Sequence, residues 1–221
     1  SMRIGMMVDR YKPYVSGVTN YVDLNKRFLE QAGHEVFVFT FGDLDYQSDE
    51  ANIIRSPKLP LVSFYYFNFR YTRKAQRILQ TMDLVHVMYP FISGPLAIEY
   101  CRPKHIPIIL LTALSDPQDV LKGLECGADD FITKPYDEEY LLAKIRQTLI
   151  NAGRPRESGV RTGVEVLFKG EKYRITAERQ QILSLLLSTY EMAVIKNHER
   201  KKVQEEIELL NEQLEKKVEE R

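Results

Sequence analysis

The sequence has no tryptophan, only two cysteines and no hydrophobic run long enough to cross a bilayer. Cys101 and Cys126 are too few for a disulfide scaffold and are not spaced as a metal knuckle, so both are read as buried or half-buried thiols. No stretch approaches the roughly 18–20 apolar residues of a membrane helix, and no signal-peptide core opens the chain. No membrane partner and a cytoplasmic location are therefore expected. An excess of charge is lacking too: 31 Lys and Arg balance 31 Asp and Glu. Nothing attracts a nucleic-acid backbone at large, and no nucleic-acid partner is expected. Ser1 ahead of Met2 reads as the remnant of a cleaved tag.

What is present is the composition of a folded protein, 221 residues with 44% hydrophobic and 28% charged. Short apolar runs at 3–8, 35–41, 52–55, 84–88, 106–111 and 130–133 read as strands. Amphipathic stretches at 18–31, 71–82, 94–101, 117–126 and 138–151 read as helices, several closed by a glycine. This alternation, with strands apolar almost throughout, predicts an α/β fold: a doubly wound parallel sheet, Rossmann- or flavodoxin-like, in three layers. Ligands of such sheets bind at the carboxyl ends of the strands. That singles out Asp9, residues 41–43 and 86–90, Thr112, and Lys134 with Pro135.

After Gly153 comes a polar linker, then two short runs, 164–168 and 172–175, that predict a β-hairpin. From residue 176 the pattern is one long helix. Ile182, Leu186, Thr189, Ala193, Lys196, Arg200, Val203, Ile207, Leu210 and Leu214 follow the four-and-three spacing of a coiled-coil seam, which Lys196 and Arg200 weaken in its middle. A parallel two-stranded coil pairing two copies through 182–218 is expected, with a single solvated helix as the alternative. The division expected is an α/β domain at 1–153, linker and hairpin at 154–176, and a helical dimerisation or signalling segment at 177–221.

The first part of the chain resembles the acceptor-side half of retaining B-type glycosyltransferases, of the family 4 type. The resemblance rests on Met-Arg-Ile-Gly-Met-Met-Val-Asp-Arg-Tyr-Lys-Pro-Tyr-Val-Ser-Gly-Val at 2–18, Gly-His-Glu-Val at 33–36, and Asp-Leu-Val-His-Val-Met-Tyr-Pro-Phe-Ile-Ser-Gly at 83–94. It covers about 2–105. It implies that the loop at Ser16 and Gly17 approaches a donor diphosphate and that His86 is the first histidine of a His-x-His pattern, whose second position holds Met88. The family's second domain, which holds the nucleotide sugar, has no counterpart here, so transferase activity is not expected.

The rest, about 106–221, resembles the carboxyl half of bacterial response-regulator receiver domains with their signalling-helix linker. Ile-Pro-Ile-Ile-Leu-Leu-Thr-Ala at 106–113 and Gly-Leu-Glu-Cys-Gly-Ala-Asp-Asp-Phe-Ile-Thr-Lys-Pro at 123–135 carry it. The resemblance implies that Thr112 bonds a phosphoryl group, that Lys134 pairs with its charge ahead of a commonly cis proline, and that Phe131 reports the switch. No histidine box or nucleotide-binding glycines follow, so no transmitter enzyme is expected.

A receiver also needs an acidic pair for Mg²⁺ and an acceptor aspartate, because an acyl phosphate forms on a carboxylate beside a hard cation. Asp9 sits at one acidic position, with Arg10 beside it, and His86 aligns with the acceptor. Histidine makes no acyl phosphate, and a strand-end histidine bonded to backbone is preferred to phosphohistidine chemistry. Asp9 is read as the ion-pair partner of Lys134 ahead of a lone Mg²⁺ ligand. No cofactor and no metal are expected, with Mg²⁺ at Asp9 the weak exception. The aromatic run at 64–71 is read as packing against the sheet or as a dimer contact, ahead of a stacking platform for bases or sugars.

The expectation is a non-catalytic, receiver-like signalling module of the two-component type, with upstream and downstream signalling proteins as partners. It is a natural or engineered chimera joined near 88–106. The alternative is a remnant glycosyltransferase domain that binds an acceptor or nucleotide sugar.

Overall fold

The computed structural model describes residues 1–58, 70–88, 92–112, 117–134, 136–153, 164–168, 170–175 and 179–219. The aromatic residues at 64–69, Pro135 and the linker at 154–159 lie outside them.

Six strands form one parallel sheet: β1 (Arg3–Met7), β2 (Glu35–Phe41), β3 (Ile53–Ser56), β4 (Leu84–Val87), β5 (Ile108–Thr112) and β6 (Asp130–Thr133). Their order is β3-β2-β1-β4-β5-β6. The chain starts in the centre, walks out to β3, crosses back to β4 on the other side of β1, and walks out to β6. The strand order reverses between β1 and β4, which is where such sheets open a crevice. The doubly wound α/β fold expected from the sequence is the one observed.

Alternation of side chains divides the interior into two cores. Ile4, Met6, Val8, Leu84, Met88, Ile109, Leu111 and Ile132 face α1 (Gly17–Gln31) and α5 (Glu138–Ala152). Met7, Val85, Val87, Leu110 and Phe131 face α2 (Arg73–Leu79), α3 (Ser93–Cys101) and α4 (Pro117–Cys126). Ser16 caps α1 by accepting from the Thr19 amide, and Asp137 caps α5 by accepting from Tyr140.

Of the boundaries that differ from the periodicity, three do so for clear local reasons. β3 begins one residue late because Asn52 sits at φ 64°, in the left-handed region. α2 begins at Arg73 because Thr72 caps it, accepting from the Ala75 amide, while Tyr71 stacks on Phe41 with ring centroids 5.0 Å apart. β5 begins after Pro107, which has no N–H to give the ladder; the Pro107 carbonyl instead accepts from Val85 at 2.9 Å.

Beyond the sheet, β7 (Val164–Phe168) and β8 (Glu171–Ile175) pair antiparallel, and α6 (Arg179–Glu219) follows. At 1.5 Å per residue α6 is about 60 Å long. The hairpin docks on α4: Arg174 donates its amide to Glu125 Oε1 at 3.0 Å, and the Lys122 ammonium lies over the Tyr173 ring. The start of α6 runs beside β6, where Leu185 is buried with the core of the α4 side.

Candidate functional site

Asp9 follows β1 at the reversal of strand order. Its Oδ1 accepts from Ser93 Oγ at 2.6 Å. Ser93 is the first residue of α3, whose N-terminus has no side-chain cap of its own. The carboxylate therefore supplies the negative charge that this helix end favours. Burial pushes the Asp9 carboxyl above its ordinary value, and the Ser93 bond opposes the shift. The expected Asp9–Lys134 ion pair is not formed, because Asp9 turns to α3 while Lys134 turns to α1. Lys134 Nζ sits 4.6 Å from the centroid of the Tyr21 ring.

His86 is fully buried between Leu84 and Met88, on the α1–α5 side. Its Nδ1 lies 3.1 Å from the Ile109 carbonyl, which can only accept, so the proton is on Nδ1. Nε2 then accepts from the Tyr21 hydroxyl at 3.1 Å. Burial pulls the imidazole down to about 4; the Ile109 bond resists this and the Lys134 charge adds to it. The ring is neutral at pH 7, and both nitrogens are in use. Desolvation likewise holds the Lys134 ammonium below its usual range. Tyr136 meets Tyr21 edge-on at 5.4 Å, and its buried hydroxyl finds no partner among the described residues.

Thr112 and Phe131 lie on the other side of the sheet. A Cβ placed on Gly123 of α4 would sit 2.9 Å from Leu110 Cδ2, 3.3 Å from Phe131 Cε1 and 3.6 Å from Thr112 Cγ2. Only a glycine lets α4 approach β5 and β6 this closely. The Thr112 hydroxyl is buried, again with no partner among the described residues. Phe131 is fully buried. The structure therefore gathers His86, Tyr21, Lys134 and Tyr136 on one side, Thr112 and Phe131 on the other, and Asp9 with Ser93 at the entrance to α3.

Ser16 and Gly17 open α1. Where a Gly17 side chain would stand, no heavy atom lies within 4 Å, so the approach to this helix end is open.

These residues do not fit Mg²⁺. One Asp9 oxygen is engaged by Ser93, and the neighbouring side chain is a guanidinium stacked 4.1 Å from the Tyr14 centroid. His86, expected at the acceptor position, is a buried imidazole. A hard cation needs several free oxygens, and none of these groups supplies them.

Sequence reasoning missed Tyr21 and Ser93, each a hydrogen-bonding side chain inside a predicted helix or at its edge. The one signal for Tyr21 was its place one turn after Gly17, on the face that α1 turns to the sheet. Ser93 stands where a helix N-terminus needs an acceptor or a hydroxyl.

An open parallel sheet of order β3-β2-β1-β4-β5-β6 with charged and hydroxyl side chains at adjoining strand ends defines the class: a doubly wound, Rossmann-like α/β domain. The model of Glycosyltransferase Family 4 matches residues 15–112, reaching past the boundary at 105 and through β5. An alpha-monoglucosyldiacylglycerol synthase of Streptococcus pneumoniae is 38% identical over 113 residues, 49% of this chain and 26% of that protein. The response regulator ArlR of Staphylococcus haemolyticus is 33% identical over 156 residues, 62% of this chain and 69% of that protein. A solved signal receiver domain of a signal transduction histidine kinase from Syntrophus aciditrophicus aligns with a TM-score of 0.44 and 24% identity, over 72% of this chain and 98% of that one. The chain belongs to the response-regulator family, and it combines receiver features with those of family 4 glycosyltransferases. It spans a quarter of the synthase and about half the length of several other curated relatives.

Proposed function

We propose that the chain is a receiver-like signal-transduction module that works without phosphoryl transfer, without Mg²⁺ and without catalysis of its own. It is a chimera of a glycosyltransferase half and a receiver half, paired with a second copy through α6. It acts in the cytoplasm between upstream and downstream signalling proteins rather than on nucleic acid or membrane. One observation carries this reading: the residue at the acceptor position, His86, is buried with both ring nitrogens bonded. To attack a phosphodonor it would have to break its bond to Tyr21 and reach solvent, leaving the tyrosine hydroxyl unpaired. Incubation with acetyl phosphate and Mg²⁺ is expected to leave the intact mass unchanged. A stoichiometric gain of one phosphoryl group, on any residue, overturns the proposal.

A second reading, a remnant sugar-nucleotide domain, draws on the open end of α1 at Gly17 and on the family match over 15–112. Against it, the Ser16 hydroxyl is occupied in capping its own helix. Titration with nucleotide sugars in a calorimeter is expected to give no saturable heat. Saturable heat that disappears in a Gly17→Val variant would establish the second reading instead.

A further inference from the structure

Along α6 the seam residues Ile182, Leu186, Val203, Ile207, Leu210 and Leu214 are exposed. The stripe is broken at two successive positions, Lys196 and Arg200, both exposed and neither in an ion pair among the described residues. Arg200 only donates to the Asn197 side chain at 3.3 Å.

The flanks of the seam favour a parallel second copy. In register, Glu199 and Glu206 fall beside Gln204 and Asn211 of the other helix, acceptors against amides. Antiparallel pairing sets glutamate against glutamate instead. The same register brings two Lys196 and two Arg200 side chains together within one turn, about 6 Å of helix. Two Glu199 carboxylates flank them, so the layer keeps a net positive charge. Like charges at this spacing repel unless an anion lies between them.

We propose that pairing of α6 builds a cationic layer from Lys196 and Arg200 of both copies, and that this layer binds a tetrahedral oxyanion of the phosphate type. The inference rests on the parallel dimer proposed above. The guanidinium forks supply bidentate donors matched to phosphate oxygens, and the ammonium groups supply point charges. The apolar residues on either side hold the two helices in register. Dimerisation is then linked to the anion: one present at ten times its dissociation constant, and bound only by the dimer, tightens pairing about tenfold.

Sedimentation equilibrium of the full chain, in chloride and in phosphate at matched ionic strength and pH, reads this directly. Phosphate is expected to lower the dimer dissociation constant about tenfold. The Lys196→Leu/Arg200→Leu variant is expected to dimerise more tightly in chloride and to ignore phosphate. Equal constants in the two anions, or a phosphate effect that survives in the variant, overturns the anion layer while leaving the dimer intact. A monomer under every condition overturns the dimer reading itself. Comparing inorganic phosphate with a phosphate monoester at equal charge identifies which source the layer prefers.

Discussion

Lys144→Met is expected to cost about 3–5 kcal/mol in unfolding free energy, the range for breaking one side of a buried ion pair. Lys144 Nζ lies 3.0 Å from Asp130 Oδ1, and the two side chains are 8% and 6% exposed. Asp130 also accepts from the Phe131 amide at 2.8 Å and from Thr148 Oγ1 at 3.0 Å. Those bonds hold the carboxylate in place, so removing the ammonium strands a negative charge at the start of β6. The double variant Lys144→Met/Asp130→Leu is expected to recover most of the loss, because it buries apolar groups where the charges were. Urea unfolding of the three proteins measures both effects. A single-variant loss below about 1 kcal/mol would place the pair in solvent-like surroundings and refute the account.

The second large effect is a dependence of stability on pH set by His86. Its folded pKa, about 4, lies below the ordinary 6.5, so between these values the unfolded chain binds the extra proton and the folded one does not. Stability therefore rises with pH across this window, and acid weakens the fold. The full difference is about 3 kcal/mol at 1.36 kcal/mol per unit. Asp9 works in the opposite direction: its raised carboxyl favours the protonated form, so its contribution falls as pH rises through its folded value. Urea midpoints across the window are expected to climb with pH in the native chain and to flatten in His86→Gln, which can still bond Tyr21. A slope unchanged in that variant assigns the dependence to other groups.

Where the sequence was informative, a single physical constraint acted locally. Residues Glu35–Phe41, Pro117–Cys126 and Asp130–Thr133 keep their boundaries because apolar runs meet glycine or aspartate punctuation directly. The candidate site was legible in its members but not in its contacts. Asp9, His86, Thr112 and Lys134 all stand at or near strand ends, as the pattern of runs implies. Their partners depend on which face of the sheet each side chain takes and on helices distant in sequence. Tyr21 is 65 residues from His86, and Ser93 is 84 from Asp9. An alternating strand puts Lys134 and Thr112 on opposite sides, and no motif spacing records that. The Asp130–Lys144 pair escaped for a similar reason: in sequence it is one more acidic residue in a charged stretch, and only burial gives it weight.

The receiver resemblance begins at about residue 106, between β4 and β5, while the family 4 match runs on through β5; the two strands pair through Val85↔Ile108, His86↔Ile109 and Val87↔Leu110. A parallel ladder joins amides and carbonyls and is blind to the side chains it carries. Backbone pairing therefore sets no barrier to exchanging one half of such a sheet for another. Compatibility is tested only where side chains cross the line. Among the described residues those crossings include His86 to the Ile109 carbonyl, Tyr21 against Lys134 and Tyr136, Gly94 beneath the Cys126 sulfur, Arg102 reaching the Gly127 carbonyl, and both cores, where side chains from the two sides pack together. A segment exchanged at this line would have to fit those polar contacts and both cores at once.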